Sequence, residues 1–207
     1  AQLTNITNPL IYGTGYTEGN FGGAVDISDS YYIVGSGNES ASSAVRGTGF
    51  AIIYDASTNA EIYQLTVYTA LDPSPGGLSQ WSYDYLGAAV GISNTTAAVG
   101  APGEPGLYIF DLTSPLTIKS GTANEAEFTY AIADPDGIGS GSEFGEALSL
   151  SDPNILVGAR KAGPNDRGKA YIYNTSGTLL HTLTPPVEED YSEFGTSVHI
   201  QGSYAIV

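Results

Sequence analysis

Cysteine and methionine are absent from this 207-residue chain, histidine occurs twice and tryptophan once. Without Cys there is no disulfide framework and no thiolate nucleophile. Without Met, a chain that begins at Ala1 reads as a processed product or an excerpt of a longer one. Basic residues are also scarce: 6 Lys and Arg against 22 Asp and Glu give a formal net charge of −16. Phosphate binding depends on Lys and Arg, so nucleic acid and anionic membrane surfaces would be repelled. No run of 18 apolar residues occurs, and no segment reads as a membrane-spanning helix. His181 and His199 sit in alternating stretches with no recurrent Ser or carboxylate partner nearby, and GxSxG, HExxH and phosphate-loop patterns are missing. The chain is therefore expected to be non-catalytic and to carry no cofactor. The competing enzymatic reading is a polysaccharide-active enzyme whose two carboxylates come from distant loops and leave no local motif.

What the chain has in quantity is glycine, tyrosine and repetition, with 27 Gly and 15 Tyr. Ser142–Ala159 reads SEFGEALSLSDPNILVGA, and Ser192–Val207 reads SEFGTSVHIQGSYAIV. Relaxed copies are NFGGAVDISDSYYIVGS at 20–36 and YLGAAVGISNTTAAVGA at 85–101. The glycine after the aromatic or Leu falls at Gly22, Gly87, Gly145 and Gly195, spacings of 65, 58 and 50 residues. Each complete copy is followed by a second element, GTGFAIIYD (47–55), GEPGLYIFD (103–111) or DRGKAYIYN (166–174). A looser third comes next: AEIYQLTVY (60–68), SPLTIKS (114–120) and GTLLHTL (177–183). Repetition at a fixed frame marks a repeat architecture.

The period within each element is two, which means strands. AVDIS, ALSLS and SVHIQ alternate, whereas YYIVG, AAVG and NILVG are continuous apolar runs suited to a strand covered on both faces. Connections as short as Asn94-Thr95-Thr96 predict hairpins and antiparallel neighbours. Residues 120–133 are the one place where a helical turn could fit. Four strands per repeat of 50–65 residues predict an all-β fold, a β-propeller of four-stranded antiparallel blades that forms part of a larger propeller. Stacked radially, such sheets bury faces that a lone sheet leaves open. The blades are placed at 21–84, 85–143 and 144–193, with 1–20 an outer strand of a preceding blade and 194–207 the first two strands of a further one.

Phe144-Gly145, the run through Val157-Gly158-Ala159, and Gly168-Lys169-Ala170-Tyr171-Ile172-Tyr173 resemble an FG-GAP repeat, the blade unit of the integrin α-subunit head. Phe21-Gly22 and Phe194-Gly195 match the opening pair, and APGEPG (101–106) is similar to the Gly-Ala-Pro end. Leu86 departs from the aromatic, and Ser36 and Arg160 depart from the ending. The resemblance implies the propeller. In integrin-type blades the resemblance also implies a calcium loop of spaced aspartates between the first two strands, but here that connection is a tight turn with at most one carboxylate, Asp29 or Asp152. A hard cation needs six to eight oxygens, so no metal site is carried over. Asp134-Pro135-Asp136-Gly137 is the nearest substitute and reads as a turn.

Two stretches stand out as binding candidates. Seven acids and no base occupy 120–159, after which Arg160, Lys161, Arg167 and Lys169 crowd together. Either these cations offset carboxylates of a neighbouring blade, or they grip an acidic glycan or partner. GGLSQWSYDYLG (76–87) gathers Trp81, Tyr83, Asp84 and Tyr85 into one inter-blade connection, and large amphipathic rings suit sugar faces and protein hot spots. Alternatively, Tyr85 belongs to the next strand and Trp81 covers a blade seam. Asn5, Asn38, Asn94 and Asn174 are N-glycosylation sequons.

FG-GAP-like repeats occur in adhesins and secreted surface proteins, and the pattern is also similar to repeats in marine bacteriophage structural proteins. The resemblance implies an extracellular, cell-surface or virion-surface module that binds a host, glycan or protein. A structural part in virion or filament assembly, made with neighbouring subunits, is the alternative. If the chain closed on itself, a fourth blade built from 194–207 and residues 1–12 would lack its GKAYIY-type strand. An excerpt is the expectation, with a Gly-small pair after Val207.

Overall fold

The computed structural model describes residues 20–37, 49–66, 85–103, 106–118, 125–137, 139–187 and 189–207. The first sheet runs β1 (Ala24–Ile27), β2 (Tyr31–Ser36), β3 (Phe50–Asp55) and β4 (Glu61–Leu65), each antiparallel to the next. The second begins with β5 (Ala89–Ile92), β6 (Thr96–Ala101) and β7 (Gly106–Asp111). A short β8 (Glu125–Ala126) then pairs in parallel with β4, as a fifth strand of the first sheet, before β9 (Tyr130–Ala133) completes the second. The third sheet comprises β10 (Ala147–Ser151), β11 (Asn154–Ala159), β12 (Lys169–Asn174) and β13 (Leu179–Leu183). A final pair, β14 (His199–Gln201) and β15 (Tyr204–Ile206), follows.

Successive sheets pack face to face, with their first strands adjacent in the order β1, β5, β10, β14. This is the arrangement of β-propeller blades, as the repeat frame predicted. Alternation along the second strand shows why it is apolar throughout. In β6, Ala97, Val99 and Ala101 pack with Ile33 and Ile53 of the first blade, whereas Ala98 packs with Ile155 and Val157 of the third. A strand covered on both faces has no solvent side for a polar residue. Fully buried Phe110, Ile53, Ile155 and Leu156 are each worth about 1.5–3 kcal/mol against exposure.

One expectation fails in the second blade. SPLTIKS does not supply its outer strand, and 120–133 holds no helical turn among the described residues, because β9 fills the strand's place. Pro115 has no N–H for a ladder, and the chain instead crosses to the first blade. There the Leu116 amide donates to the Tyr63 hydroxyl at 3.2 Å, and Ile118 bridges Ala126.

Each third strand ends on an acceptor that caps the turn after it. The Asp55 carboxylate accepts from the Ser57 hydroxyl and amide (2.6 and 2.9 Å) and from the Thr58 amide and hydroxyl (2.8 and 3.0 Å). Asp111 receives Thr113, and the Asn174 amide oxygen receives the Ser176 and Thr178 amides. Hydrogen bonds from Ser57, then Thr58, hold the Asp55 carboxyl at about 2, and Thr113 lowers that of Asp111. A depressed carboxyl stabilises the fold above its ordinary titration range and loses that contribution as pH falls toward 2. Asp55→Asn keeps the acceptor, as Asn174 does naturally, so its melting temperature should match the parent at pH 7 and fall less between pH 4 and 2. Asp55→Ala should melt about 2 °C lower at pH 7.

Candidate functional site

The repeat motif becomes intelligible at the blade seams. Within each blade the FG-type glycine amide donates to the carbonyl of the second-strand glycine: Gly22 to Gly35, Gly87 to Gly100 and Gly145 to Gly158, at 2.9–3.0 Å. Across the seam the same glycine presses on the preceding blade. A Cβ on Gly100 would fall on the Gly145 carbonyl, and one on Gly106 would fall within the Phe144 ring. Gly35 meets Gly87, and Gly158 meets Gly195, in the same way. Leu86 is fully buried at the position of Phe144, so the departure from the aromatic preserves the seam.

Two residues before these glycines, Tyr85, Glu143 and Glu193 all adopt left-handed φ (53°, 55° and 50°). Their carbonyls accept from Ala88, Glu146 and Thr196 at 3.0–3.2 Å, forming one tight turn per blade. These turns lie at the sheet ends that also carry the β2–β3-type connections. The aromatic connection leaves the described chain at Thr66 and returns at Tyr85, at this same end. Trp81, Tyr83 and Asp84 lie outside the described residues, and Tyr85 is half-buried in the turn.

The basic cluster is at this end too. Arg160, just past β11, pairs with Glu143, with Glu146 at 2.7 Å and with Glu193 of the following sheet at 3.2 Å. Lys161 pairs with Glu143, Arg167 with Asp190 at 3.0 Å, and Lys169 with Asp136 at 2.6 Å. The hydrogen bond to Glu146, followed by the nearby carboxylate charges, raises the Arg160 pKa against its partial burial. Backbone bonds run alongside: Tyr191 donates to Asn165 (2.8 Å), Glu193 to Asp166 (3.1 Å) and Phe194 to Arg167 (3.0 Å). The four cations thus lie within a network that joins the third blade to its neighbours. The sequence offered carboxylates of a neighbouring blade as one of two readings but not which carboxylate meets which cation, and SEFG occurring twice was the visible trace of that pairing.

Asp134 to Gly137 forms a turn, with the Gly137 amide donating to the Asp134 carbonyl at 3.0 Å. Its carboxylates border the buried Tyr171 and Tyr173, against which Phe144 packs edge to face at 5.6 and 6.1 Å. Burial, with Asp134 and Asp136 adding, pushes Tyr173 up to about 12 and Tyr171 in the same direction. Among the described residues no group of three or more His, Asp or Glu is placed to hold a metal ion. Asp152, in the β10–β11 turn, accepts from the Ser93 and Thr95 hydroxyls of the preceding blade. At the opposite end of the sheets, a shallow groove of about 200 Å³ lies between Tyr31, Tyr63 and the turn Leu112–Pro115.

No protein-family model matches the chain, and no curated protein matches it. Among solved structures it is similar to BamB from Moraxella catarrhalis, at 14% identity and a TM-score of 0.45, over 86% of this chain and 42% of that one. The chain thus spans less than half the length of that protein.

Proposed function

We propose that the chain is a non-catalytic binding module, an FG-GAP-like propeller of an extracellular, cell-surface or virion-surface protein that meets a protein or glycan through its turn-bearing end. The observation that carries this reading is the rim of tight turns and ion pairs at the end where the connection containing Trp81 and Tyr83 leaves the described chain at Thr66 and returns at Tyr85. A rim ordered before binding loses less entropy on contact. Because Arg160, Lys161, Arg167 and Lys169 are engaged by the protein's own carboxylates, the reading places recognition on the aromatic segment rather than on basic charge. His181 on β13 and His199 on β14 stand on an outer and an inner strand and form no common constellation.

Glycan arrays and adhesion to intact cells test the proposal. Trp81→Ala should weaken attachment at least about tenfold while leaving the melting curve unchanged. Loss of folding would show Trp81 to be seam packing, and an absence of attachment to any glycan or surface protein would overturn the reading.

A further inference from the structure

The groove at the opposite end of the sheets exists because the second blade breaks the repeat. In the first and third blades the chain turns at Asp55 or Asn174 and returns at once as an outer strand, β4 or β13. In the second, the same kind of turn at Asp111 is followed by Ser114 and Pro115, which lead the chain across to the first blade. There the Tyr63 hydroxyl holds the Leu116 amide at 3.2 Å. The crossing segment forms one side of the groove, and Tyr31, Ile53 and Tyr63 of the first blade form the other. Both sides belong to adjoining blades within the chain. The space between them, about 200 Å³, is close to that of a single sugar ring.

The lining has a definite chemistry. Every residue in it is uncharged, in a chain with 22 acidic and 6 basic residues. Tyr31 and Tyr63 are half-buried and supply aromatic surface. The Tyr63 hydroxyl accepts from Leu116 and so keeps its own proton to donate. The Thr113 hydroxyl spends its proton on Asp111 at 2.7 Å and offers only lone pairs. A sugar hydroxyl both donates and accepts, so it can use this donor and this acceptor together, while the C–H surface of its ring packs on the tyrosines. A peptide carbonyl would use the donor alone. A carboxylated sugar would approach against the net charge of the chain and find no cation in the lining.

We propose that this groove is a binding subsite for one neutral hexopyranose ring. Tyr31 and Tyr63 pack against the ring, the Tyr63 hydroxyl donates to it and Thr113 accepts from it. Ser114, exposed at the rim, takes a second sugar hydroxyl. The Leu116–Tyr63 bond fixes the donor before the sugar arrives, which lowers the entropy lost on binding. The inference does not depend on what the turn-bearing end binds.

Amide chemical shifts of the isotope-labelled protein, followed during titration with methyl glucoside, methyl galactoside and methyl mannoside, test the proposal. At least one glycoside should give saturable shifts centred on Thr113, Ser114 and Leu116, with a Kd on the order of 1–10 mM. Methyl glucuronide should bind at least about tenfold more weakly than the best of them. Tyr63→Phe, which removes the donor, should weaken binding about fivefold. Because that change also releases the Leu116 amide, Ser114→Ala serves as the second variant. It leaves the crossing intact and should weaken binding about threefold at an unchanged melting temperature. Trp81→Ala should leave these shifts as they are, and their loss in that variant would assign the sugar to the turn-bearing end and overturn the proposal. It is also overturned if no glycoside saturates, if both groove variants bind like the parent, or if glucuronide binds equally well. Shifts at the same amides with a polyproline peptide but with none of the glycosides would make the groove a peptide site instead.

Discussion

Gly100→Ala is expected to cost the propeller about 3 kcal/mol or more, or to prevent folding, although it adds a single methyl group. The new Cβ would fall on the Gly145 carbonyl oxygen of the next blade. That oxygen cannot swing aside as a side-chain tip could, because Gly145 is tied to Gly158 through its own amide (3.0 Å). Relief therefore requires two sheets to separate along a packed face. Gly22→Ala separates this effect from backbone strain. Gly22 has φ +87° but open space around it, so alanine there should incur only the left-handed penalty of about 1–2 kcal/mol. Gly100 has no such φ, so its loss would measure close approach alone. Urea unfolding of both variants decides the matter. Equal destabilisation would mean that conformational freedom, not contact between blades, explains the glycines.

That contrast also shows how far the fold is legible in sequence. The inner strands could be read because their constraints are local: a two-residue period, a hairpin turn and a continuous apolar run in the doubly covered strand. The second blade's outer strand could not, since the chain first visits the neighbouring blade, and the hydrogen bond from Leu116 to Tyr63 spans 53 positions. The basic cluster was visible as a run of charge, yet its two readings differ only in what stands opposite. Arg160 meets Glu193 across 33 positions, a distance set by seam register rather than by any local pattern. Arginine after Gly158-Ala159 and glutamate ahead of two Phe-Gly pairs were both legible as departures or repeats. Their pairing required the blades to be stacked. Tyr85, named for its aromatic ring, is placed by its backbone, in the same left-handed turn as Glu143 and Glu193.

Arg160→Ala is expected to lower stability by about 2 kcal/mol at low ionic strength, through the seam rather than through a lost ligand. Its guanidinium meets Glu143 and Glu146 of the third blade and Glu193 of the following sheet. Exposed ion pairs are worth little, and Glu146 and Glu193 are 45% and 42% exposed. The larger share should therefore come from Glu143, 23% exposed, which would keep only Lys161 for a partner. Arg160→Lys retains the charge but not the planar fork that reaches three carboxylates, so it should fall between the parent and alanine. In about 1 M salt, where charges are screened within about 3 Å, the difference between arginine and alanine should shrink by half or more. A double-mutant cycle with Glu193→Gln isolates the coupling between the two sheets, expected at about 0.5–1 kcal/mol. If Arg160→Ala unfolds within about 0.5 kcal/mol of the parent, the ordinary range of a surface substitution, the network is a solvated surface, and the reading in which these cations grip an acidic partner gains.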